Sequence, residues 1–173
     1  FNKNGVVAKE TVDIESLKKE IKDLNTFNKM IKEIKDKELI GIDLIDIKLE
    51  ENQQLTFDFI NEPVENTILG SIFDGKTLYI IDSSKIDKNS SKEVTAQLKN
   101  VLETQKLAVF GLKNILKIID FKDNNNILDC EIVGYLLNPL KDKYFYEDIC
   151  RDYLKYTLKS REELIGKADY STV

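Results

Sequence analysis

Side chains able to do chemistry are few in this chain, and what is missing narrows the possible reactions first. There is no histidine, and Cys130 and Cys150 are the only cysteines, neither with a metal-ligating neighbour. Most zinc sites, the Ser–His and Cys–His nucleophile pairs and imidazole acid–base catalysis are removed together. Carboxylates and amines remain. Asp43 and Asp58 each sit in an apolar, strand-like run, Ile42-Asp-Leu-Ile45 and Phe57-Asp-Phe-Ile60. A lone Asp in such a run is ordinarily a strand-end or solvent-facing residue, because a hard cation needs several oxygens converging on it. Lys113 and Lys117 stand one turn apart in a helical pattern and read as solvated lysines. Two buried, reduced thiols are expected of a cytosolic chain of this kind.

The elements that must position these groups belong to a chain of 173 residues, enough for one sizeable core. The net charge of −5 comes from Lys and Asp/Glu interspersed along the chain, so the overall electrostatic footprint of a nucleic-acid grip is missing. No long apolar run or secretory segment is present, which predicts a cytoplasmic protein with no membrane partner. Phe1 is not a natural start, so the polypeptide reads as excised from something longer, with 1–13 a linker or entry strand.

Apolar residues at Ile14, Leu17, Ile21 and Leu24, then at Phe27, Met30, Ile31 and Ile34, predict two helices or one broken helix, capped anew at Asn25 or Thr26. Glu15 with Lys19 and Glu33 with Lys37 have the i,i+4 spacing of solvated helix pairs. Strands are expected over 38–49, 55–60, 68–73 and 77–81, the last two joined at Asp74-Gly75 in a hairpin. Ser90 or Ser91 is placed to cap a helix through Val94, Leu98, Val101 and Leu102. Leu107-Ala-Val-Phe110 reads as a buried parallel strand that Gly111 hands to a helix, Leu112–Ile119. This order implies an α/β fold with a mixed central sheet and helices packed on both faces.

The most legible stretch is Ile127-Leu-Asp-Cys-Glu-Ile-Val-Gly-Tyr-Leu-Leu-Asn-Pro139. Asp129 can cap a helix, Glu131 favours its positive end, and Pro139 stops it. Ile132, Tyr135 and Leu136, flanked by Leu128 and Val133, make an apolar face broad enough to predict a core helix pressed on the sheet, with Leu137 also buried.

That run, followed by Tyr144-Phe-Tyr-Glu-Asp-Ile149, Tyr153-Leu154 and Ser160-Arg-Glu-Glu-Leu-Ile-Gly-Lys167, resembles the 3′–5′ exonuclease-type domain of bacterial DNA polymerase I, a family A polymerase. The resemblance spans roughly 24 to 167 and is strongest after Leu102. It implies a ribonuclease H-like, DnaQ-like exonuclease fold forming a single domain over 1–173, its C-terminal part truncated. In active members, three motifs supply four carboxylates that hold two divalent ions, which clamp the attacking water and the leaving oxygen. The first strand carries Asp-x-Glu, the helix after the buried strand Asn-Leu-x-x-Asp, and a later helix Tyr-x-x-x-Asp.

Every motif departs from that pattern. The first aligns with Asp58 and Ile60, or alternatively with Asp43 and Ile45, and in both Ile stands where the family has Glu. The second aligns Lys113 with Asn and Lys117 with Asp, or Ile115 with Asp if two residues are deleted. A lysine there would repel the ions, each unit pair at 4 Å costing about 4 kcal/mol at an effective dielectric near 20. The third lies past Val173. The resemblance thus implies a vestigial, inactive domain without catalytic residues, metal or cofactor. It would act as a scaffold in a DNA-directed polymerase of replication and repair, with Mg²⁺ expected only in the parent's polymerase domain. That domain and weakly held DNA are the expected partners. An active proofreading nuclease with substitute ligands and a free-standing α/β interaction module are the alternatives.

Overall fold

The computed structural model describes residues 14–47, 67–122 and 124–166. The expected strand over 55–60, the entry segment 1–13 and Lys167 lie outside the described residues. So do Asp58 and Ile60.

In chain order come helix α1 (Ile14–Leu17), strand β1 (Lys18–Ile21), helix α2 (Leu24–Ile34), and strands β2 (Ile40–Ile47), β3 (Thr67–Phe73) and β4 (Leu78–Asp82). Helix α3 (Ser91–Thr104), strand β5 (Leu107–Val109), helix α4 (Leu112–Ile118) and strand β6 (Ile127–Asp129) follow. Helices α5 (Cys130–Leu137), α6 (Tyr146–Ile149) and α7 (Arg161–Ile165) close the described chain, with a π-helical turn, Cys150–Leu154, after α6. The strands form one six-stranded mixed sheet in the order β1-β4-β3-β2-β5-β6. The meander β2–β3–β4 is antiparallel, whereas β5 lies parallel to β2 and β6, and β1 parallel to β4.

The first expected helix is not formed as such. The chain leaves helical geometry at Lys18 and pairs Lys18–Ile21 with Leu78–Ile81 instead. The outer edge of β4 offers a row of backbone hydrogen-bonding groups, and satisfying it outweighs the weak preference of four residues for a helix. The next helix starts earlier than expected because Asp23 caps it. Asp23 Oδ1 accepts from the Thr26 N–H at 2.7 Å, and Thr26 Oγ1 accepts from the Asp23 N–H at 3.2 Å, a reciprocal capping box. Glu33 and Lys37 do not pair with each other, because tertiary partners claim both charges; the side chain of Glu15 lies outside the described residues. Glu33 accepts from the Tyr79 hydroxyl at 2.7 Å and pairs with Lys19 at 3.2 Å, while Lys37 reaches Asp74 at 2.7 Å.

Asp74 also makes the β3–β4 turn. Its Oδ1 accepts from the N–H groups of Lys76 and Thr77, and Gly75 takes the left-handed conformation at φ 92°. Ser90 sits at the N-cap of α3 as expected, but its hydroxyl makes no capping bond. One face of the sheet carries the core: Ile40, Ile42 and Leu44 of β2, Ile68 and Ile72 of β3, Tyr79 and Ile81 of β4, Leu107 and Val109 of β5. Phe27, Met30 and Ile34 of α2, Val94, Leu98, Val101 and Leu102 of α3, and Ile115 of α4 join the same cluster. The connections β4–α3–β5 and β5–α4–β6 both step the same way across the sheet, so right-handed crossovers place α3 and α4 on a common side. Buried Asn124 pins this side: its amide donates to the carbonyls of Leu102 and Gln105, and its oxygen accepts from the Asn126 N–H.

The expected core helix at 130–137 is a correction. It forms, capped by Asp129 and ended before Pro139, but Ile132, Tyr135, Leu136 and Leu137 are exposed, and Gly134 is its one buried residue. Asp129 belongs to β6, so the chain turns from strand to helix at this residue and presents only one side of α5 to the body. That side meets α6 closely: a Cβ on Gly134 would lie 2.7 Å from Ile149 Cδ1. Cys130 and Cys150 are free thiols, as expected, but half-buried rather than buried.

Candidate functional site

Strand β2 occupies the middle of the sheet, flanked by antiparallel β3 and parallel β5. Its alternation sends Ile40, Ile42 and Leu44 into the core and sets Gly41, Asp43 and Ile45 on the opposite face. Asp43 stands across from Ser71, two residues beyond Gly41, where β2 ceases to pair with β5. It therefore lies at the carboxyl ends of the parallel strands, beside the turn that feeds α4. In open α/β sheets that crevice is where ligands are bound.

Asp129 builds the turn. Its Oδ1 accepts from Gly111 N at 3.1 Å and from Glu131 N at 3.0 Å, and its Oδ2 accepts from Leu112 N at 2.8 Å. One carboxylate thus ties the starts of α4 and α5 together across the ends of β5 and β6. Gly111 is left-handed at φ 72°, and a side chain there would crowd Asn114 Nδ2 at 3.2 Å and Glu131 Oε2 at 3.4 Å. Tyr146 of α6 packs edge-on against Phe110, 6.1 Å between ring centres. The sequence marks Asp129 as a cap; that it also organises the preceding turn follows from the register Val109↔Asp129, which puts the two strand ends side by side.

The alternative first-motif pair, Asp43 and Ile45, is on the central strand, sharing one face at i,i+2 spacing. Desolvation by the surrounding strands pushes the Asp43 carboxyl above its ordinary value, partly offset by a hydrogen bond from the Leu44 N–H. Its side chain still reaches water, so the carboxylate is crowded rather than sealed in. Lys113 and Lys117 are on the exposed side of α4, opposite buried Ile115, and neither pairs with Asp43. Ile115, the alternative second-motif position, is a core residue.

The exonuclease-type resemblance implies a pair of divalent ions held by several carboxylates, and the described residues, which do not include Asp58 and Ile60, bring no such set together. Ile45 contributes no oxygen beside Asp43, and Asp129 spends its oxygens on backbone N–H groups. Among the described residues, no group of three or more His, Cys, Asp or Glu side chains could hold a metal ion. Among the same residues, no helix is long and apolar enough to cross a membrane.

No known family's sequence profile matches the chain, and no curated protein matches it. Solved structures do. The Aedes aegypti Nibbler EXO domain superposes with a TM-score of 0.65 at 12% identity, covering 90% of this chain and 77% of that one. Escherichia coli RNase D, described as an exoribonuclease involved in structured RNA processing, gives 0.59 at 16% identity, covering 88% of this chain and 36% of its own. The catalytic core of RRP6 from Trypanosoma brucei gives 0.60 at 13%, covering 89% and 38%. The chain thus spans little more than a third of the RNase D and RRP6 chains, and identities this low speak for the fold rather than the activity. The chain has the ribonuclease H-like, DnaQ-type fold of 3′–5′ exonuclease domains.

Proposed function

We propose that this is a catalytically silent 3′–5′ exonuclease-type domain that serves as a structural scaffold inside a larger nucleic-acid enzyme. The observation that carries the reading is Ile45. On the central strand, the position beside Asp43 that would share a cation is an aliphatic side chain, and a single carboxylate holds too little charge against the repulsion of two divalent ions. At the second-motif acid position the candidates are Lys117 or Ile115, and neither can ligate a cation. The run from Leu128 to Lys167 supports a bacterial DNA polymerase I as the parent, in which the domain would hold its neighbouring polymerase domain at a working distance along DNA in replication and repair. Interspersed charges leave few phosphates neutralised, so DNA contact would be weak, with a non-specific Kd no tighter than about 10⁻⁴ M at physiological salt.

A second reading concerns the parent alone. Two of the structural neighbours, RNase D of Escherichia coli and of Trypanosoma brucei, are RNases by name, which favours an RNA-directed enzyme. One assay addresses both points. Incubated with Mg²⁺ or Mn²⁺, the chain should shorten neither 3′-labelled single-stranded DNA nor RNA, and Ile45→Glu alone should not confer trimming, because the second carboxylate site would still be lysine or isoleucine. Metal-dependent trimming by the unaltered chain would overturn the silent reading, and the preferred oligonucleotide would identify the parent's class.

A further inference from the structure

We propose that Cys130 and Cys150 form a redox modification site, at which a low-molecular-weight disulfide of the glutathione type converts the two thiols into one disulfide that staples α5 to α6. The inference stands apart from any nuclease history. Cys130 opens α5 and lies one helical turn before Gly134, on the same side of the helix. That side is the one applied to α6: a Cβ on Gly134 would come within 2.7 Å of Ile149 Cδ1 and 3.2 Å of Ile149 Cγ1. Cys150 follows Ile149 directly, where α6 passes into the π-helical turn. The two thiols therefore flank one helix–helix seat. Ionised Cys150 raises the cost of ionising Cys130, an influence that thiols exert only at short range. Both are half-buried, so a small oxidant reaches them.

The backbone at Cys150 has room to adjust. Its N–H is shared between the carbonyls of Tyr146 and Glu147, and its own carbonyl accepts from the N–H of Lys155, which ends the π-helical turn in the left-handed region at φ 62°. An α register and a π register thus meet at this residue, and a change of local winding moves the sulfur while the Gly134–Ile149 seat stays closed. The exchange balances with no further reactant. One thiolate attacks a sulfur of the small disulfide and expels one small thiol, which takes up the proton; the second attacks the mixed disulfide and expels the other. Two protein S–H bonds and one S–S bond are lost, one S–S bond and two S–H bonds are made, and two electrons pass from the cysteines to the oxidant. Burial first, then Asp129 beside Cys130 and Glu147 beside Cys150, hold both thiols above their ordinary value. The thiolate fraction at neutral pH is therefore small, and the pair answers a sustained oxidising load rather than a passing one. Because Cys130 adjoins Asp129, the new bond would tie α6 to the junction that joins the starts of α4 and α5.

Treated with excess oxidised glutathione, the 173-residue chain should lose two hydrogens in intact mass and retain no glutathionyl group, and peptide mapping should join the fragments that carry Cys130 and Cys150. Of the variants Cys130→Ser and Cys150→Ser, the one that keeps the attacking thiol should hold a glutathionyl group instead. In the oxidised chain, amides over 146–154 should exchange with solvent at least about tenfold more slowly than in the reduced chain, and dithiothreitol should restore the faster rate. A wild-type chain that retains glutathionyl groups, couples to a second chain through sulfur or fails to react would overturn the proposal. So would an intramolecular disulfide that leaves exchange over 146–154 unchanged, because α5 and α6 would then not be stapled.

Discussion

Helices α3 and α5 are both rich in aliphatic residues, yet α3 buries Val94, Leu98, Val101 and Leu102 while α5 buries only Gly134. Their patterns differ in breadth. The four apolar residues of α3 form a narrow stripe bounded by Lys, Glu, Gln and Asn, so one orientation removes nearly all of the apolar area from water. In α5 the apolar residues run around most of the helix, and no single contact can cover them. A narrow stripe therefore reports which side meets the core, whereas a broad one reports only that cover is needed. The helix dipole and cap of α5 are satisfied locally by Asp129, so the helix forms without its apolar face being covered.

The comparison breaks most visibly if the packed half is cut. Leu98 is 0% exposed, so Leu98→Ala should cost about 2–5 kcal/mol in a denaturant melt. A loss under about 1 kcal/mol would mean that α3 is not core, given the usual cost of a buried leucine. Asp129 joins the two halves, and Asp129→Ala, which strips acceptors from three N–H groups, should cost about 2 kcal/mol. Asp129→Asn should recover part of it, because the amide oxygen still accepts; equal losses for both changes would point to charge rather than hydrogen bonding.

Within the packed half, Tyr79→Phe should cost about 1 kcal/mol near neutral pH, the low end for a hydrogen bond to a charged group because Glu33 remains partly exposed. The loss should depend on pH. The Tyr79 hydroxyl first, and Lys19 next, hold the Glu33 carboxyl below its ordinary value of 4.5, so the stabilisation is complete above that value and fades as pH falls through the lower folded one. Wild type and variant should therefore converge in acid. Parallel stability curves down to the acid limit would remove Glu33 from the account. Tyr79 itself is pushed up to about 12, chiefly by burial and then by Glu33, so it stays a donor throughout.

The smallest effect is expected where the sequence pattern anticipates the reverse. Leu136→Ala on the exposed face of α5 should change monomer stability by no more than about 0.5 kcal/mol.

Local chemistry in the sequence determines the Asp74-Gly75 turn, the Asp129 cap, the Gly111 hand-over from strand to helix and the stripe of α3. Each depends on residues within a few positions of one another, where turn geometry, capping and periodicity act directly. The site is legible to the same extent: that Asp43 lacks a neighbouring acid can be read from Ile45 alone. Long-range competition decided the rest. Lys18–Ile21 is a strand because an open edge of β4 lies beside it, and Glu33 and Lys37 part company because Tyr79, Lys19 and Asp74 arrive from elsewhere in the chain. Only the assembled sheet puts Asp43 on the central strand and Asp129 against Gly111, since strand order and register are set by the burial of one whole face rather than by any local signal.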